Sequence, residues 1–78
     1  MESLNELEMR EAQLVLMSLE QEWSDERNRS FELMNELNAA ERRLLALFSN
    51  EWQARGGERR LINLAYSHYR RQLMRQFG

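Results

Sequence analysis

The chain contains no cysteine and no proline, only three glycines, and no lysine among its eleven basic residues. Each absence closes off a class of structure. Without cysteine there is neither a disulfide framework nor a thiolate metal site, and the one histidine, His68, has no second imidazole at ligand spacing. Without proline, and with two of the glycines adjacent, almost nothing interrupts a helix. β-Branched residues are limited to Val15 and Ile62, so strands have little to be built from. The longest apolar run, Leu44 to Phe48, is far too short to cross a bilayer. Glu2, Glu6, Glu8 and Glu11 occupy the ground where a signal peptide carries positive charge. These features predict an all-α, cytoplasmic chain without a membrane span.

What is present is helical periodicity, sustained longest between Phe31 and Arg55. At 100° per residue, Leu33, Met34, Leu37, Ala40, Leu44, Leu45, Leu47, Phe48 and Trp52 share one broad face, with glutamates, arginines and asparagines opposite. Arg55-Gly56-Gly57 ends this helix, because glycine takes the left-handed conformation at the C-terminus without a Cβ penalty. A last helix, about 58–77, carries Leu61, Ile62, Ala65, Tyr66, Tyr69, Leu73 and Phe77 on one face and should fold back antiparallel. Ser3 and Glu6 form a capping box for a first helix, about 3–22, whose apolar residues cover more than half its circumference. Between Glu20 and Ser30 the apolar pattern thins to Trp23. Ser24 as N-cap, followed by Asp25 and Glu26, would start the second helix at about residue 25 and carry it to 55. The expectation is one small domain, 1–78, forming an antiparallel three-helix bundle. The competing reading is an uninterrupted helix from Ser3 to Arg55, which would make a long helical hairpin.

Charge is sorted along the chain. Met1 to Glu26 holds eight acids and one base, Arg27 to Ala54 four of each, and Arg55 to Gly78 one acid and six bases. This pattern predicts that the first and last helices are neighbours, with Glu8 and Glu11 as candidate partners of Arg71 and Arg75. The arginines of the last helix, Arg59, Arg60, Arg70, Arg71 and Arg75, are the candidate anion-binding or charge-pairing set. Arg59 and Arg60 lie at a helix N-terminus, where cations are disfavoured, and either a bound phosphate or pairing with the acidic first helix or with Glu51 and Glu58 would explain them. Pairing is favoured, because the chain is slightly acidic overall, net −2.

No catalytic constellation is visible. His68 reads as a half-buried packing residue, Ser49 and Ser67 lack a base at useful spacing, and Gly56-Gly57 has neither the strand nor the lysine of a phosphate loop. No cofactor is expected. The apolar faces exceed what a 78-residue bundle hides. Leu7, Leu14, Leu16, Met17, Leu19, Trp23, Phe31 and Met34 are therefore the candidate protein-binding residues, in a composition that such surfaces favour.

The function expected is that of a non-enzymatic interaction module of adaptor, co-chaperone or inhibitor type, which binds a protein partner or dimerises through coiled-coil-like helix packing. The alternative is a regulator that lays its arginine-rich last helix on nucleic acid. In size and layout the chain resembles the small helical-hairpin co-chaperones of bacterial secretion systems, or the small helical inhibitors carried by phages. That likeness is one of shape and carries no residues over.

Overall fold

The structure is a computed structural model and describes residues 4–25, 27 and 29–77. Three α-helices account for nearly all of it, with no strand among the described residues: α1 (Leu4–Ser24), α2 (Phe31–Ala54) and α3 (Ile62–Phe77), the last entered through a 3-10 turn, Arg59–Leu61. The Ser3 capping box lies outside the described residues.

The break between α1 and α2 is real, which excludes the single long helix, but it falls later than the sequence suggests. Ser24 is not an N-cap. Its hydroxyl donates to the carbonyl of Gln21 at 2.6 Å and closes the last turn of α1. Asp25 accepts the Arg27 amide proton at 3.0 Å as an Asx turn, and Arg29 reaches back to the carbonyl of Trp23 at 2.9 Å while its guanidinium covers the indole. Ser30 is the cap instead. In extended conformation (φ −102°, ψ 164°), its Oγ accepts the Leu33 amide proton at 3.0 Å. Both serines are locally competent to cap. The chain reverses between the two serines, and that reversal brings Leu16 and Leu44 into one core.

The core is small. Ala12, Leu16 and Met17 of α1, Leu44 of α2 and Leu73 of α3 form one buried cluster, ringed by Leu37, Ala40, Leu47, Tyr66 and Tyr69. Cross-contacts give the helices an up-down-up course. Asn5 donates to Glu51 at 2.7 Å and Glu11 faces Arg43, so α1 and α2 run antiparallel. From α2 to α3, Phe48 stacks on Tyr69 at 5.0 Å and meets Tyr66 edge-on at 5.5 Å, while Glu41 pairs with Arg70 further up. The first and last helices are neighbours, as the sorted charges imply: Gln13 donates to the Tyr69 hydroxyl, and Leu73 enters the core beside Leu16.

Candidate functional site: an apolar groove between α2 and α3

The turn after α2 sets the site. Gly57 N–H donates to the Trp52 carbonyl at 2.9 Å and Gly56 N–H to that of Gln53 at 3.0 Å, the paired bonds of a Schellman motif, with Gly56 at φ +84°. The motif lays Gly57 flat on the Trp52 indole, whose Nε1 donates to the Glu58 carbonyl at 2.8 Å. Trp52 is thereby held at the mouth of an open groove of about 620 Å³. Phe48 and Trp52 form one wall, and Leu61, Leu64 and Ala65 the other. Leu64 is 69% exposed although it sits against this apolar surface.

The rim is basic. Arg55 and Arg71 flank the groove. Arg55 is tied to Glu51 at 2.8 Å, whereas Arg59, Arg71 and Arg75 are exposed and make no ion pair with any described residue. Arg60 pairs with Glu58 two residues earlier. His68 also lines the groove. It is exposed, against the half-buried packing role expected of it, with its ring against the Gln72 amide at 3.3 Å.

Arg70 stands apart from its neighbours in sequence. It turns inward and places one guanidinium nitrogen 2.5 Å from Glu20 of α1 and 2.5 Å from Glu41 of α2. Burial alone would lower its pKa, but the hydrogen bond and charge of Glu20, with the charge of Glu41, more than reverse this and raise it. Tyr66 lies beside this cluster. Its pKa is pushed up to about 12, chiefly by burial and further by the charge of Glu41, against the opposing charge of Arg70. Its hydroxyl is buried without a hydrogen-bond partner among the described residues. Burial likewise raises Tyr69, partly offset by the hydrogen bond from Gln13. The cluster ties α3 to both α1 and α2. Charge pairing between the first and last helices thus runs through Arg70 and Glu20; Glu11 faces Arg43 instead, and no ion pair joins Glu8 or Glu11 to Arg71 or Arg75.

The candidate protein-binding residues divide in two. Leu7 and Leu14, with Val15, lie exposed on the outer face of α1, and Phe31 is exposed at the start of α2. Leu16 and Met17 are core residues, 0% and 8% exposed, with almost no surface left to offer a partner. Leu19, Trp23 and Met34 are half-buried. The groove itself was not foreseen. Its signal is Leu64, which falls among the arginines, out of phase with the apolar face of its helix.

Among the described residues no group of histidine and carboxylate side chains could hold a metal ion, and no helix is long and apolar enough to cross a membrane. No protein-family model matches the chain, nor does any curated protein or solved structure.

Proposed function

We propose that the chain is a non-enzymatic, cytoplasmic helix-docking module, of adaptor, co-chaperone or inhibitor type, that receives an amphipathic helix in the groove between α2 and α3. The observation that carries this reading is the groove itself: large apolar side chains left open to solvent on a chain whose own core is already closed. Its apolar walls and charged rim suit the helix-in-groove mode, in which residues at helical spacing anchor an apolar face and charges at the rim select the partner. A basic rim selects an acidic helix.

A second reading draws on the exposed Arg59, Arg71 and Arg75, which a nucleic-acid phosphate could engage. It is weakened by Arg70, which the bundle consumes internally. Photocross-linking from position 64, with benzoylphenylalanine in place of Leu64, separates the readings. A protein adduct at 64, absent from the same probe at the solvent-facing position of Asn50, supports docking. An adduct to nucleic acid, or sub-micromolar oligonucleotide binding that falls steeply with salt, overturns it.

A further inference from the structure

The outer face of α1 is complementary to the groove in both apolarity and charge. Leu7, Leu14 and Val15 are exposed there within about 100° of arc; Glu11, which also lies 3.9 Å from Arg43, falls between them, and Glu22 follows on the same arc about two turns further along. The groove offers Leu61 and Leu64 between Arg55 and Arg71, with no acid on α3. Leu7 to Leu14 spans about 10 Å of helix, within the roughly 15 Å that the groove-lining stretch from Leu61 to Arg71 covers. We propose that the occupant of the groove is α1 of a second copy of this chain. The inference rests on the docking reading above and names its partner.

Charge rules against the simplest alternative. A groove docked on its own copy would bring together two rims that each carry Arg55 and Arg71, and like charges at an interface are unfavourable. α1 on groove opposes glutamate and arginine instead. The contact joins two different faces and is heterologous unless a two-fold axis reciprocates it. Two copies close on each other if both contacts form at once, and build a longer array if they do not.

That asymmetry gives a decisive test on the full chain. One variant, Leu7→Arg/Leu14→Arg, blocks the α1 face and keeps the groove. The other, Leu64→Glu/Arg71→Glu, blocks the groove and keeps the α1 face. All four positions are solvent-exposed, and circular dichroism verifies that both variants fold. Sedimentation velocity should find the wild type assembled at tens of micromolar and each variant alone at the 9.5 kDa monomer mass. Mixed in equal amounts, the variants should form a 1:1 complex through the one contact left intact, weakened several-fold between about 50 and 500 mM salt. A wild type that stays monomeric overturns the inference, as does a variant that still self-associates or a mixture that stays monomeric. None of these outcomes touches the docking reading itself, because a cross-link from position 64 to a different protein would sustain that reading while the second copy is excluded.

Discussion

Gly57 lies flat against the indole of Trp52, so close that a Cβ at position 57 would overlap the ring atoms. The contact is made by the same turn that reverses the chain between α2 and α3, and it fixes the tryptophan at the mouth of the groove. Gly57→Ala should therefore cost about 1–3 kcal/mol, as overpacking does, and should alter Trp52 fluorescence. Gly56→Ala meets open space but must hold φ +84°, at a cost of about 1–2 kcal/mol. Urea denaturation measures both. In a Trp52→Ala background the Gly57→Ala penalty should largely vanish, while that of Gly56→Ala should remain.

The two serines that compete to start α2 give a second prediction. Ser30→Ala removes the acceptor for the Leu33 amide and should destabilise the protein by about 1 kcal/mol. Ser24→Ala removes only a back-bond at the exposed end of α1 and should fall within about 0.5 kcal/mol of the wild type. Equal losses would mean that α2 begins before Ser30.

Alkaline pH should destabilise the fold through its tyrosines. Tyr66, pushed up to about 12, and Tyr69, also raised, hold their protons more tightly when folded than at the unfolded value of 10.0. The folded chain therefore binds more protons in that window, and stability falls as pH rises from about 10 towards 12. Below pH 10 the contribution is fully present. Tyr66→Phe should flatten the alkaline slope. It should leave stability at pH 7 unchanged or slightly higher, because the hydroxyl it deletes has no partner among the described residues. Denaturation curves between pH 7 and 11.5 decide this.

Adjacent arginines should behave in opposite ways. Arg70→Ala strands Glu20 and Glu41 in a partly buried site and should cost about 1–3 kcal/mol. Arg71→Glu/Arg75→Glu changes exposed groups without ion pairs among the described residues and, in dilute monomer, should shift stability by less than about 0.5 kcal/mol. Paired reversal of Glu8 and Glu11 should rescue nothing in the monomer. Thermal melts of the three variants at low protein concentration check these outcomes together.

The sequence by itself determined the helical class, the Gly-Gly reversal, the antiparallel return of α3 and the adjacency of the acidic and basic helices. All of these follow from local backbone preference, from periodicity or from bulk charge, which are written residue by residue. Which serine caps α2 was decided only in three dimensions, because Ser24 and Ser30 are equivalent locally and the chain reverses between them to bring Leu16 and Leu44 into one core. The same holds for Leu16 and Met17, whose apolarity is plain but whose burial depends on where the neighbouring helices lie. Arg70 and Arg71 show the limit most sharply. They are the same residue type, one position apart, and a rotation of about 100° along α3 sends one into a ring of carboxylates and leaves the other on the rim of a groove that exists only once α2 and α3 are packed.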